Sequence, residues 1–241
     1  LVLSDIMMGG GAVLPEPEEA IYIFDEGHHL PEKAGNHFSN FIALKSAQGW
    51  LSQIPATLLQ MTGELQDVGI LPGGLGQFEE VVNDAIAGID QMSALLDPVQ
   101  EDAKHSDTGW QYRFPMGLVT DEIAYMSGDL LRQFTRLTSL TGGLVSSLEE
   151  GLGDADEFDN ERHEYWLPIV SAMAARHESA MALWANYMQK DMPGGPPYAR
   201  WVTFREASSD SGVEIQLNAC PISVSDSLNE LLWSRVFAAV V

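Results

Sequence analysis

Apolar positions recur with two different periods along this 241-residue chain. A short β-branched and aromatic run, Ile21-Tyr22-Ile23-Phe24, is followed at once by two carboxylates, Asp25 and Glu26. Such a run predicts a buried strand that delivers acidic groups to a sheet end, where parallel sheets bind their ligands. Upstream, Leu1 to Met8 reads as a helix end, Gly9-Gly10-Gly11 as a turn, and Pro15, Glu16 and Pro17 as the loop entering the strand. Past Pro31 the period lengthens. Phe38, Phe41, Ile42, Leu44, Trp50, Leu51 and Ile54 predict an amphipathic helix entered near Ala34, and Leu58, Leu59, Met61 and Leu65 a second helical stretch. Gly69 to Gly76, with Pro72 inside, is a loop, and Phe78 to about Leu96 a helix stopped by Asp97-Pro98.

Residues 104–116 are polar and aromatic and predict a loop or short hairpin that packs rings. Leu118 to about Leu148 is a long helical pattern, followed by an acidic linker from Glu149 to Glu157. Phe158 to about Lys190 is a further long helix that Pro168 is expected to bend or split, and Pro193-Gly194-Gly195-Pro196-Pro197 ends it. The pattern then alternates. Ala199–Arg205 and Val213–Leu217 flank Ser208-Ser209-Asp210-Ser211-Gly212, which predicts a β-hairpin with a wide loop. Ser223 or Ser225 can cap a helix through about Arg235, and Val236–Val241 reads as a buried strand. The strands at 20–25 and 236–241 are expected to lie parallel and adjacent, with the hairpin beside them. The layout is a helical middle between β-containing ends.

Composition adds bounds. Apolar residues make up 45% of the chain, enough for a sizeable core, and no run approaches the ~20 apolar residues of a membrane span. One cysteine, Cys220, excludes an internal disulfide and cannot alone supply a zinc or iron–sulfur site, which fits a reducing cytoplasm. The start lacks both an initiator Met and a basic signal-peptide region, which leads us to expect a segment of a longer protein. Twelve Lys and Arg stand against 35 Asp and Glu, a formal charge of −23. Nucleic-acid binders usually show a basic face, so the chain as a whole should repel DNA: either the binding surface lies elsewhere in a longer protein or a small basic patch sits in the acidic body, and a salt-adapted acidic proteome would give the same signature.

The string Asp25-Glu26-Gly27-His28-His29-Leu30-Pro31-Glu32 has the form of a Walker B box of the D-E-x-H type. In that reading Asp25 holds Mg²⁺ on ATP, while Glu26 and His28 have catalytic roles: Glu26 positions the attacking water and His28 senses the phosphate. The plainer alternative is a strand-end acidic pair in a turn. A zinc hydrolase using His28, His29 and Glu26 is a remote third reading, because the spacing is not H-E-x-x-H. Arg113, Arg132, Arg136 and Trp110 are candidate DNA contacts; the alternatives are surface pairing of Arg132 with Asp129, and core packing for the other tryptophans, Trp50, Trp166, Trp184 and Trp201.

The layout and the D-E-G-H-H-L-P-E string resemble the DinG/XPD family of superfamily 2 iron–sulfur DNA helicases, in its DinG-like branch. The resemblance implies a mainly α fold: a helical arch-type insertion domain, with a small β-sheet remnant of a RecA-like motor domain built from the flanks. It divides the chain into residues 1–32 (Walker B part of the first motor domain), 33–198 (arch) and 199–241 (return into the motor domain). Gln216-Leu217-Asn218-Ala219-Cys220-Pro221 resembles the return turn, and Leu232–Val241 the approach to motif III. The resemblance implies ATP and Mg²⁺ as cofactors, a 4Fe-4S cluster in the parent with ligands outside this chain, single-stranded DNA as partner, and a replication or repair protein as a further partner. It also implies 5′ to 3′ unwinding by the parent. The chain holds no G-x-x-x-x-G-K-[ST] phosphate loop, so no ATPase activity is expected of it alone. The second function class is a helical protein-interaction module without catalysis.

Overall fold

The computed structural model describes residues 2, 13–67, 69–106, 109–154, 157–189, 197–206 and 212–240, with side chains described outside 153–159. The readings at Leu1–Met8 and Gly9–Gly11 lie outside the described residues, Val2 apart. The chain divides into two compact units, one drawn from Leu1–Ser39, Asp191–Ala199 and Ala219–Val241, the other from Asn40–Lys190 and Arg200–Asn218.

In the first unit, strand β1 (Ile21–Ile23) pairs in parallel with β7 (Ala238–Val240), Ile21 opposite Ala238 and Ile23 opposite Val240. The ladder extends one step further, where Phe24 N–H donates to Val240 O at 2.9 Å. A 3₁₀ turn (Gly27–His29) leads into helix α1 (Leu30–Phe38). Pro31 sits in the first turn of α1, where a missing N–H breaks no helical bond. The buried centre is Ala34 of α1 with Leu228 and Leu232, flanked by Phe24, Phe38, Val224 and Trp233. Leu228 ends a short helix, α6 (Ser225–Leu228), that continues as a π-helical turn (Asn229–Trp233). The N-cap of this helix is Val224, with no side-chain cap bond, so neither serine caps it as the sequence suggested; Ser223 Oγ accepts from Ser225 N–H at 3.4 Å just before it.

The parallel pairing of the two terminal strands matches expectation; their burial does not. Ile21 is 62% and Ile23 76% exposed. The sheet has two strands, so β1 is an edge, and among the described residues no layer covers the face that Ile21 and Ile23 share. The predicted hairpin does not join this pair. It belongs to a separate five-stranded sheet.

The second unit is mainly helical. Helices α2 (Leu44–Leu65), α3 (Leu75–Glu101), α4 (Asp121–Asp154) and α5 (Glu157–Met188) pack in sequence, α4 along α5, α3 on α4 and α2 on α3. In α4 the buried positions Ile123, Ser127, Leu130, Phe134, Leu137, Thr141, Leu144 and Leu148 alternate four and three apart, a seven-residue repeat that keeps one stripe against its neighbours. Ser127 and Thr141 in that stripe donate to the carbonyls of Ile123 and Leu137 one turn back, so their buried hydroxyls are satisfied. The sheet has the order β2 (Asn40–Ala43), β6 (Val213–Pro221), β5 (Tyr198–Glu206), β4 (Gly109–Arg113), β3 (Lys104–Ser106). Arg200 on β5 is buried and donates to the carbonyls of Asn186 (2.7 Å), Gly117 (2.8 Å) and Gln189 (3.2 Å), capping the end of α5.

Five local expectations are corrected. Residues 40–43 form strand β2 rather than continuing a helix from Ala34, because Phe41 and Ile42 find a partner in β6 that their helical spacing cannot reveal. Helix α3 runs through Pro98 to Glu101; in the last turn the proline removes one bond and leaves the packed face intact. Helix α5 continues through Pro168 without a break in assignment. The acidic stretch after Leu148 is helical to Asp154, since Glu and Leu propagate a helix already anchored by the buried stripe. Likewise Gln216–Pro221 is extended strand, not a turn.

Candidate nucleotide and nucleic-acid sites

The acidic pair lies just beyond the C-terminal end of β1. Asp25 and Glu26 are both exposed. Glu26 adopts φ 53° and ψ 45°, a left-handed conformation that residues with a Cβ rarely hold. That kink reverses the chain between strand and 3₁₀ turn, and His29 N–H closes it onto Glu26 O at 3.0 Å. It also brings His28 back onto its neighbour: His28 Nδ1 stands 3.1 Å from Glu26 Oε2. The rings of His28 and His29 lie 4.0 Å apart, and His29 Nδ1 is 4.0 Å from Glu32 Oε2. Phe24 anchors the strand end by packing edge-on against Trp233 at 5.7 Å. A cavity of about 510 Å³ opens beside the turn, lined by Gly27, Leu30, Pro31, Asp226, Asn229 and Trp233 among others.

Chemically, this is a carboxylate–imidazole contact (Glu26 and His28) next to the exposed carboxylate of Asp25. Among the described residues, no three His, Cys, Asp or Glu side chains converge as a metal-binding set. One exposed carboxylate suits Mg²⁺, which keeps most of its waters and is held by one or two carboxylates together with substrate phosphates. The donor set therefore fits Mg²⁺ carried on a nucleotide. Cys220 is half-buried, its Sγ 3.5 Å from Gly35 O, and is the chain's one thiol, so a four-cysteine cluster has no ligand set here.

The candidate DNA contacts separate into two groups. On α4, Arg132 is bonded to Asp129, as the sequence spacing suggests. Arg136 contacts Glu80 at 3.3 Å and Asp84 at 3.8 Å on α3. Their charge is neutralised locally. On β4, Arg113 Nε donates to the neutral Gln111 Oε1 at 3.1 Å, and Trp110 is 53% exposed with its ring edge-on to His105 at 5.5 Å. The other tryptophans behave as packing residues: Trp184 and Trp166 are buried, Trp50 packs on Phe134 at 6.2 Å, and Trp201 is half-buried. Lys104 escaped the sequence reading. It pairs with Gln111 across the β3–β4 hairpin and so shares a face with Arg113; the hairpin register was the signal that would have joined them.

The chain is similar to ATP-dependent DNA helicase DinG of Photobacterium profundum (27% identical, over 100% of this chain and 33% of the relative) and of Salmonella typhimurium (27%, over 95% and 31%). It is similar to the DinG helicase of Escherichia coli K12 at 26% identity, over 95% of this chain and 31% of the relative. The chain spans about a third of the length of the curated relatives it matches. No family model matches it.

Proposed function

We propose that this chain is the part of an ATP-dependent DNA helicase that carries the Walker B acids and a helical arch over single-stranded DNA. The observation that supports this best is the placement of Asp25 and Glu26 directly after a strand that pairs in parallel with the C-terminal strand β7. In this reading residues 1–32 and 199–241 are motor-domain segments and 33–198 the arch, and the longer protein works in the cytoplasm, unwinding 5′ to 3′ in replication or repair beside protein partners. Bound Mg²⁺ on ATP would neutralise charge on the phosphates. Asp25 would hold it, Glu26 would orient the attacking water and accept its proton, and His28, 3.1 Å from Glu26, would fix the carboxylate's rotamer and sense the phosphate. The iron–sulfur cluster of the resemblance would take its thiolates from outside this chain. A helical docking module with no catalytic role is the alternative reading.

The test is ATP hydrolysis by the longer protein that contains this chain, stimulated by single-stranded DNA. Glu26→Gln should lower the rate by about 10²-fold or more while leaving ATP binding in place. Asp25→Ala should weaken Mg²⁺-ATP binding itself. The chain alone should show no turnover. Full activity in Glu26→Gln would leave the docking module as the better reading.

A further inference from the structure

The turn that carries the two carboxylates is strained and has open volume beside it. Glu26 holds φ 53° and ψ 45°, and the turn closes on itself where His29 N–H donates to Glu26 O at 3.0 Å. The strand before it is fixed differently: Phe24 N–H donates to Val240 O at 2.9 Å, the last step of the β1–β7 ladder. Beyond Phe24 the chain leaves that ladder. The cavity of about 510 Å³ beside the turn has Gly27, Leu30 and Pro31 from the turn and α1 in its wall, together with Asp226, Asn229 and Trp233 from the segment that enters β7. A left-handed residue with a Cβ persists only where its surroundings over-determine it, so something must keep this turn from relaxing.

Trp233 is placed to do so. Its ring meets Phe24 edge-on at 5.7 Å, and Phe24 in turn stacks on Tyr22 at 6.1 Å. Phe24 and Gly27 bracket the acidic pair, one residue before Asp25 and one after Glu26. Trp233 touches the first and shares the cavity wall with the second. Its own backbone is held on both sides. Asn229–Trp233 is a π-helical turn, closed by Ser234 N–H donating to Asn229 O at 2.9 Å. Such turns are rare and recur at functional sites. Past it, Arg235 Nε donates to Glu18 Oε1 at 2.8 Å and Phe237 N–H to Pro17 O at 3.0 Å, which ties this segment to the one entering β1. Core filling accounts for Leu228 and Leu232, which are buried against Ala34. It does not account for an indole left half-buried in the wall of a cavity beside a strained turn.

We infer that Trp233 is a positioning residue for the candidate nucleotide site: through Phe24 it holds the turn in the conformation that aims Glu26, and it acts on hydrolysis through that carboxylate. The inference rests on the helicase reading for the reaction, though not for the mechanical link. Asp25 directly follows the ladder bond at Phe24, whereas Glu26 is the strained residue. Turnover should therefore depend on Trp233 more than Mg²⁺-ATP binding does. Misplacing a reacting group by about 1 Å can cost about 10²-fold in rate, so a small relaxation of the turn is enough.

Two measurements test the link and the reaction separately. In the chain itself, hydrogen exchange of the His29 amide, which closes the turn, should speed up about tenfold or more in Trp233→Leu. The Phe24 amide, in the ladder, should change by less than about threefold, which also reports that the variant is folded. Equal acceleration at both amides, or none at His29, overturns the inference whatever becomes of the helicase reading. In the longer protein that contains this chain, Trp233→Leu should lower kcat for DNA-stimulated ATP hydrolysis about tenfold or more, with KM for ATP within about threefold. Trp233→Phe, which keeps a ring for Phe24 to meet, should recover most of kcat. Trp233→Leu combined with Glu26→Gln should cost little more than Glu26→Gln alone, because the group being positioned is already gone. Unchanged turnover in Trp233→Leu, or a loss of the same size with and without Glu26→Gln, overturns the inference and leaves the helicase reading standing. An unaltered longer protein that hydrolyses no ATP overturns the helicase reading and with it the hydrolytic role of Trp233, while faster exchange at His29 still upholds its hold on the turn.

Discussion

Strand β1 and the seven-residue stripe of helix α4 both set large apolar residues on one face, yet those faces end in opposite environments. In α4, Ile123, Phe134, Leu137 and Leu144 are each 1% exposed or less, because α3 and α5 lie on the stripe that the repeat creates. In β1, Ile21 and Ile23 stay open to solvent although β-branched residues of this kind are usually interior, because the strand has one neighbour in a two-stranded sheet. Periodicity reports which face an element offers; whether that face is covered depends on how many elements reach it. Here the helical unit brings its own cover, and the strand that bears the acidic pair does not.

The sharpest way to break that comparison is to truncate one apolar side chain in each unit and follow urea unfolding. Phe134→Ala removes a fully buried ring that touches Trp50, His177 and Trp184, and should cost about 3–5 kcal/mol. Ile23→Thr on the exposed face of β1 should change stability by less than about 0.5 kcal/mol. Equal losses would mean that the two regions are buried alike in solution.

A second difference is electrostatic. His177 is buried between Trp50 and Phe134, its Nδ1 3.3 Å from Thr141 Oγ1 and its Nε2 without a hydrogen-bond partner. Burial lowers its pKa from 6.5 to about 4, only partly opposed by the Leu137 backbone. Between those values the unfolded chain takes a proton that the folded chain refuses. Stability is therefore complete above the unfolded value and falls as pH drops through this window, by at most about 3 kcal/mol near pH 4. His177→Leu should remove that part of the slope, seen as a smaller difference between urea midpoints measured near neutral pH and near pH 4. An unchanged slope would show that the carboxylates alone set the acid response.

The smallest expected effect concerns backbone strain. Glu26 holds φ 53° with no helix or sheet bond requiring a side chain there. Glu26→Gly should raise stability by up to about 1 kcal/mol, read as a higher urea midpoint of the first unit. A destabilised variant would mean that the Glu26–His28 contact outweighs the strain. A gain would instead identify this as a position where conformational ease has been given up for a carboxylate, the usual trade at functional sites.

Much of the fold was readable from residue order. The helices over 44–65, 78–96, 121–148 and 158–188 and the strands of the β5–β6 hairpin follow from periods of 3.6 or 2 and from Gly and Pro punctuation, whereas the parallel β1–β7 pairing was expected from the layout as a whole. The misreadings share a cause. Phe41-Ile42 became a strand, and the hairpin moved into a sheet with β4 and β3, because strand pairing is a non-local choice that no window of sequence contains. Prolines 98 and 168 failed to break their helices because packing along the remaining face outweighed one lost hydrogen bond each. The candidate nucleotide site was legible as a string. The place of Lys104 across from Gln111, on the face of Arg113, was not legible, since it needs the register.

By itself, residue order determined where apolar faces lie, where the two carboxylates stop a strand, and that positive charge is scarce. Those are properties of neighbours along the chain, set by side-chain chemistry and local backbone preference. Tertiary structure alone decided that Arg136 meets Glu80 and Asp84, that Ile21 and Ile23 remain uncovered, and that His177 is neutral in the core. Each of these depends on groups far apart in sequence meeting at a few ångströms, where pairing and desolvation, not periodicity, set the energy.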